Sequence, residues 1–285
     1  MPTLNLRAAA LRQTLMVAAA TLVTAAAHAA EPAPLADFTF SEAAAITLNL
    51  AANTGTGLAG PGGRWDVAIP GTSTDGAGGL RIRNNGGGGS GTRTSYADFG
   101  PIPAAVTEGL VTLYASFSAW NLSGADNNGP TFTLALIEGN DFALAQFSLT
   151  AGATGLTLAG SSDPAGDGGS IAQTAPLAAA GSAAFTVRLS VDLAALSYHL
   201  ALDNGSGFAA LGSASVDSFS AGVNSLRLSL SGDFTLGGQA ARGLTVDRLW
   251  VTATPVPEPA SAVLLLAGFG LLALRRRSVA ATAVT

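Results

Sequence analysis

Two histidines, no cysteine and no lysine leave this 285-residue chain few ways to do chemistry. A thiol nucleophile, a lysine Schiff base and a Cys/His zinc site are all excluded by residue type alone. His28 falls in an N-terminal segment expected to be removed, so a Ser-His-Asp arrangement would have to use His199. No Gly-x-Ser-x-Gly elbow accompanies it, and the alternation of Tyr198, Leu200 and Leu202 puts His199 on the polar side of a strand, as a solvated residue. Glycoside hydrolysis needs two carboxyl groups facing each other across ~5–9.5 Å. The glutamates are Glu31, Glu42, Glu108, Glu138 and Glu258, and none sits in a recognisable motif. Glu138, between Leu134-Ala135-Leu136-Ile137 and Gly139-Asn140-Asp141, reads as a turn acid rather than a cleft acid. No catalytic residue is assigned, and the chain is expected not to be an enzyme.

No organic cofactor is expected. The inorganic ligand that suits the remaining residues is Ca²⁺, which takes hard oxygens from loops. Asp126-Asn127-Asn128, Asp163 to Asp167 and Asp203-Asn204 offer such oxygens, without EF-hand spacing. Asp, Asn and Gly also favour these turns for backbone reasons alone, so the metal ligands stay unassigned. Trp65, Trp120 and Trp250 would stack on sugar rings where exposed; at least two of the three are expected in the core.

The chain's ends carry the sharpest spacing. Val256-Pro257-Glu258-Pro259 holds a carboxylate between two prolines, which no helix interior or central strand accommodates, so the tetrad is extended and accessible. Residues 260–274 follow without a charge, spanning about 22 Å as a helix, short of the ~30 Å hydrocarbon core. Arg275, Arg276 and Arg277 then form a stop that stays cytoplasmic. At the other end, Arg7 and Arg12 precede an apolar run from Thr14 to Ala25, and Ala27-His28-Ala29 supplies a small-x-small cleavage site after Ala29.

Between the two ends lie residues 30–256, about 227 residues, enough for one large domain with its own core. Without Arg7, Arg12, Arg275, Arg276 and Arg277, 8 arginines face 17 or 18 acids. The resulting charge of about −9 to −10 argues against nucleic acid and against anionic membrane surfaces. Cysteine is absent, so stability must come from sheet packing or bound ions.

The elements that must position any site are strands. Val111, Leu113, Ala115, Phe117 and Ala119 alternate with Thr112, Tyr114, Ser116 and Ser118. Phe132, Leu134 and Leu136 repeat the pattern. Phe185, Val187, Leu189, Val191 and Leu193 alternate with Thr186, Arg188, Ser190 and Asp192, and Leu226, Leu228 and Leu230 with Arg227, Ser229 and Ser231. Period-2 alternation marks half-buried antiparallel strands. Asp203-Asn204-Gly205 is a hairpin turn signal, and the glycine-rich stretches at 60–63, 76–79, 84–91 and 166–169 read as loops or turns. About a dozen strands in one chain make an all-β, antiparallel, two-sheet sandwich.

The C-terminal segment Val256 to Arg277 resembles the sorting signal called PEP-CTERM, read by membrane proteases of the exosortase family in Gram-negative bacteria. Residues 184–252, with Phe185 to Asp192 leading into Tyr198 to Asp203 and closing on Gly243 to Thr252, resemble the C-terminal half of a concanavalin-like or laminin-G-like jelly roll. The domain organisation so expected is a signal peptide over 1–29, a β-sandwich over 30–254, a sorting signal over 255–277 with its membrane helix at 260–274, and a cytoplasmic tail over 278–285. The resemblances imply an exported protein, anchored transiently in the inner membrane and then placed at the cell surface or in the extracellular matrix. Its partners would be signal peptidase, an exosortase and a surface polysaccharide. The rival expectation is a glycan-active hydrolase or lyase on the same scaffold, and a third is a self-associating structural module.

Overall fold

The computed structural model describes residues 34–41, 55–56, 65, 72–82, 92–98, 106–121, 131–139, 142–152, 155–162, 169–174, 177–178, 180–217, 221–231 and 243–254. The expected signal peptide, including Ala27 and Ala29, lies outside these residues. So do Val256, Pro257, Glu258, Pro259, Arg275, Arg276, Arg277 and the membrane helix at 260–274. Among the described residues no helix is long and apolar enough to cross a membrane.

Among the described residues sixteen strands form: β1 (Ala36–Phe38), β2 (Gly55–Thr56), β3 (Thr72–Thr74), β4 (Leu80–Ile82), β5 (Arg93–Asp98), β6 (Leu110–Asn121), β7 (Thr131–Glu138) and β8 (Phe142–Gly152), then β9 (Gly155–Ser161), β10 (Ser170–Thr174), β11 (Ala180–Gly181), β12 (Phe185–Asp192), β13 (Ser197–Asp203), β14 (Phe208–Ser215), β15 (Val223–Ser231) and β16 (Gly243–Thr254). They make two antiparallel sheets. The larger runs β14-β13-β12-β6-β16-β1-β2, with β11 extending the β12 side of β6 and β4 with β3 extending the β1 side of β16. The smaller runs β10-β9-β8-β7-β15-β5. Sequence neighbours β12, β13 and β14 form a meander, whereas β6 and β16 pair across more than a hundred residues, so the expected two-sheet, jelly-roll-like sandwich is observed.

Apolar alternation decides which side of each strand is buried. Phe185, Val187, Leu189 and Val191 are buried and Thr186, Arg188, Ser190 and Asp192 are not, as are Tyr198, Leu200 and Leu202 against an exposed His199. The two sheets meet through aromatic rings. Phe117 of the larger sheet stands edge-on to Phe132 of the smaller at 5.6 Å, and stacks on Phe185 at 4.7 Å. Trp120 packs edge-on against Phe185 at 4.8 Å, and its indole N–H donates to the Ala178 carbonyl at 2.8 Å. Gly181 lies opposite Trp120, and a Cβ there would fall 2.5 Å from the indole ring, so only glycine lets β11 approach.

One expectation fails. Ala119 was placed with the buried set but is exposed, and Trp120 is buried instead. The cause is a pair of register shifts between β6 and β16: Ala119 pairs Thr245, Val246 pairs Phe117 and Arg248 pairs Ser116, which leaves Ser118 and then Asp247 unpaired. Each extra residue flips the alternation of its strand. Beyond the first, Trp120 turns inward; beyond the second, Leu249 and Val251 become the buried residues and Arg248 and Trp250 turn outward.

The Asp203 turn is confirmed. The Asp203 carboxylate accepts hydrogen bonds from the backbone N–H groups of Gly205 at 2.8 Å and Gly207 at 2.9 Å, with φ of +102° and +96° at these glycines. The Glu138 side chain is buried rather than exposed at its turn. It accepts the Ala221 N–H at 3.1 Å and so ties the end of β7 to the entry of β15.

Candidate functional site

Pleating and the double register shift bring charged and aromatic side chains onto the outward face of the larger sheet. Arg188, Tyr114, Trp250 and Asp37 are consecutive Cα partners on β12, β6, β16 and β1, forming one row across four strands. The next row carries Asp203, Thr186, Ser116 and Arg248, with Phe208 of β14 at its end. On the other side lie Ser213, His199, Ser190, Thr112 and Thr252.

These side chains form a continuous strip. The Arg188 guanidinium lies 4.5 Å from the centre of the Phe208 ring. Phe208 meets Tyr114 edge-on at 6.0 Å, and Tyr114 stacks on Trp250 at 4.7 Å with only 4° between the planes. The Arg248 guanidinium lies 4.6 Å from the Trp250 centre and forks onto both Asp37 oxygens at 2.7 Å. The arginine of this pair is 45% exposed, so the fork orients Arg248 more than it stabilises the fold; exposed pairs contribute about 0–1 kcal/mol. The aromatic stack adds roughly 0.5–1.5 kcal/mol beyond its buried area.

The tight Tyr114–Trp250 stack has a chemical consequence. Rings stacked side by side turn their faces to each other, leaving their edges and polar tips toward solvent. Among the described residues, the Tyr114 hydroxyl, the Trp250 indole N–H and the Arg188 guanidinium have no hydrogen-bond partner. The strip thus offers apolar ring edges and unpartnered donors together, bordered by the Asp37 carboxylate that Arg248 already forks.

Beside it, the two unpaired residues of the register shifts bond to each other: the Ser118 hydroxyl donates to Asp247 Oδ1 at 2.6 Å. Burial raises the Asp247 carboxyl above its usual range; the Ser118 bond pulls it back, and the neighbouring Asp75 carboxylate pushes it up again. One Asp75 oxygen is occupied by its own turn, accepting from the N–H groups of Ala77 at 2.7 Å and Gly79 at 3.0 Å.

The outward face of the smaller sheet differs. Its hydroxyls satisfy one another, Thr131 with Thr150 at 3.0 Å and Thr133 with Ser148 at 2.9 Å, and Arg227 donates to Gln146 at 3.1 Å.

The sequence-stated candidates distribute unevenly over this geometry. His199 is exposed, in register with Ser190 and Ser213. Trp65 and Trp120 are core residues and Trp250 is the one turned outward. Of the three loops offered for Ca²⁺, Asp203-Asn204 is the capped turn already described; Asp126-Asn127-Asn128 and Asp163 to Asp167 lie outside the described residues. Among the described residues no three His, Cys, Asp or Glu side chains converge. Sequence reasoning missed Tyr114, Arg188, Phe208, Arg248 and Asp37 as a group. The available signal was Asp247-Arg248, two polar residues in succession between Val246 and Leu249, which breaks the alternation and turns Trp250 outward.

Residues 255–278 match the family model described as the PEP-CTERM protein-sorting motif. The chain therefore carries the sorting signal of an exported, membrane-anchored precursor processed at the cell envelope. No curated protein matches it. Among solved structures it is similar to an endo-1,3-β-glucanase from Streptomyces sioyaensis, with 17% identity and a TM-score of 0.49 over 80% of this chain and 100% of that one. It is also similar to a legume lectin-like domain from Entamoeba histolytica, with 9% identity and a TM-score of 0.41 over 62% of this chain and 84% of that one. The Ca²⁺-bound exoplasmic/lumenal domain of VIP36 gives 9% identity and a TM-score of 0.45 over 68% and 85%.

Proposed function

We propose that this is a non-catalytic protein of the cell surface or extracellular matrix of a Gram-negative bacterium, freed from its membrane anchor by an exosortase, which holds a surface polysaccharide on the outward face of its larger sheet. The observation that carries this reading is the strip from Arg188 to Asp37. Sugars present apolar C–H patches bordered by hydroxyls, and ring edges flanked by unpartnered donors and one carboxylate complement both. The sorting tail supplies the itinerary: Pro257-Glu258-Pro259 for recognition, an uncharged stretch over 260–274 as a hold, and an arginine stop.

A glycan-active enzyme is favoured by one specific feature, the Asp75–Asp247 pair, in which one carboxyl is held toward its protonated form beside another. Each carboxylate nevertheless has one oxygen engaged, Asp75 by the backbone N–H groups of its own turn and Asp247 by the Ser118 hydroxyl.

A glycan-array screen of the processed protein, with Ca²⁺ and with EDTA, followed by product analysis on every glycan that binds, separates these readings. Binding without new reducing ends or unsaturated products is the expected result. Turnover that disappears in Asp247→Asn would replace the binding reading with the enzymatic one.

A further inference from the structure

The rings of the outward strip are covered by their own neighbours. Tyr114 stacks on Trp250 from the β6 side, while Arg248, reaching across to Asp37 on β1, lies 4.6 Å from the Trp250 centre on the other. Sugar C–H groups therefore meet ring edges, and the rest of what the strip offers is polar. That offer is one-sided. The Arg188 guanidinium, the Tyr114 hydroxyl and the Trp250 indole N–H are donors without partners among the described residues, whereas the carboxylate of the strip, Asp37, is already forked by Arg248.

Arg188 is the strongest of these donors. Its guanidinium lies 4.5 Å from the Phe208 ring centre, a contact that uses the planar face and leaves the N–H edges for a fork. In a chain with 18 acidic and 13 basic residues, a guanidinium without a carboxylate is a specific feature. The acids nearest along the sheet fold back on their own turns. Asp203, two residues beyond the Cα partner of Arg188 on β13, accepts from the Gly205 and Gly207 N–H groups at 2.8 and 2.9 Å. Asp192, at the end of β12, accepts from the Ala194 and Ala195 N–H groups at 3.0 and 2.9 Å. Among the described residues neither pairs with Arg188.

We propose that the strip selects polysaccharides that bear carboxylates, polymers of uronic acids, and that Arg188 is the residue that forks the sugar carboxylate. This rests on the glycan-binding reading of the strip and narrows its ligand. A carboxylate fits on two counts. Ionised, it only accepts hydrogen bonds, which complements a row of donors. Its two oxygens also match the paired N–H edge of a guanidinium. A neutral sugar hydroxyl brings an O–H of its own, and the Asp37 carboxylate that could take it is engaged. The acidic body opposes an acidic polymer at a distance, but screening confines that opposition to about 8 Å at physiological ionic strength. Contact is then decided by the groups on the strip.

The test is biolayer interferometry of the processed protein on a panel of polyuronates, polygalacturonate and hyaluronate among them, each beside its own carboxyl-reduced, neutral form. The wild type is compared with Arg188→Gln, Arg188→Lys, Trp250→Ala and, on the opposite face, Thr133→Ala. Arg188 points outward from β12, so its variants keep the wild-type circular dichroism. The expected result is at least one acidic polymer bound about tenfold or more tightly than its reduced form. Arg188→Gln should abolish that preference, Arg188→Lys should restore part of it, since lysine keeps the charge without the fork, and Thr133→Ala should leave it unchanged. Acidic and reduced forms bound equally, with binding lost in Trp250→Ala, overturns the carboxylate selection while leaving the strip a site for neutral glycans. A preference that survives Arg188→Gln, or no binding to any polyuronate, also overturns the proposal.

Discussion

Asp247 shows how a single residue couples the fold to pH. Its carboxyl binds a proton more tightly in the folded protein than in the unfolded chain, chiefly because it is buried. Its contribution to stability is therefore fully present below the ordinary carboxylate range and is lost as pH rises through the raised value. Asp247→Asn keeps an oxygen for the Ser118 hydroxyl and removes the titration, so chemical unfolding near neutral pH should show an equal or higher midpoint, an advantage over the wild type that should vanish at acid pH. A variant that is markedly less stable at neutral pH would contradict this. Tyr198 works at the alkaline end: burial pushes its hydroxyl to about 12, and the O–H donates to the Gly169 carbonyl at 2.8 Å. Its contribution is present below about pH 10 and is lost as pH rises toward 12. Tyr198→Phe should lose about 1 kcal/mol at neutral pH with the hydrogen bond, and should lose less further stability in that alkaline window than the wild type. Of these residues only Tyr198 was placed by alternation; the state of Asp247 depends on a bulge and on Asp75, 172 positions earlier in the chain.

At the scale of elements, β12 is where sequence and structure agree most closely. Leu189 is fully buried between Leu113 and Leu200, so Leu189→Ala should cost ~2–5 kcal/mol in equilibrium unfolding. Ser190 accepts the Thr112 hydroxyl at 3.2 Å on the outward side, and Ser190→Ala should cost no more than about 1 kcal/mol. The reverse order would overturn the register of the strand. Hydrophobic alternation made β6, β7, β12, β13 and β15 legible because each buries one face, although Ala135 and Ile137 of β7 are buried on the other as well. It could not say which strands are neighbours, since the β6–β16 pairing joins Leu110 to Thr254 and nothing local records it. The bulges hid for a related reason. Ser118 continues an unbroken polar series after Thr112, Tyr114 and Ser116, so only its partner strand reveals that it has no opposite residue. The outward strip inherits that difficulty, because its members come from β1, β6, β12, β14 and β16 and meet only after the sheet has formed.

At the scale of the whole molecule, the C-terminal sorting signal is an address that stands apart from the folded body. The sorting motif was legible as a sequence because it is a local pattern of residue types over 255–278, independent of how the strands pair. Changing Pro257, Glu258 and Pro259 together to Ala should leave uncut precursor in the inner membrane, and intact-mass analysis of mature wild-type protein should find Arg275, Arg276 and Arg277 gone. The proposed role of the body rests on the outward strip. The most direct measurement is the affinity of the processed protein for the polysaccharide that it captures on an array, compared among the wild type, Trp250→Ala with Arg188→Ala, and Thr133→Ala on the opposite face. The double variant should bind at least about tenfold more weakly, a loss of about 1.4 kcal/mol or more, with Thr133→Ala unchanged. Equal binding by all three, or a loss confined to Thr133→Ala, would contradict a glycan site on the larger sheet.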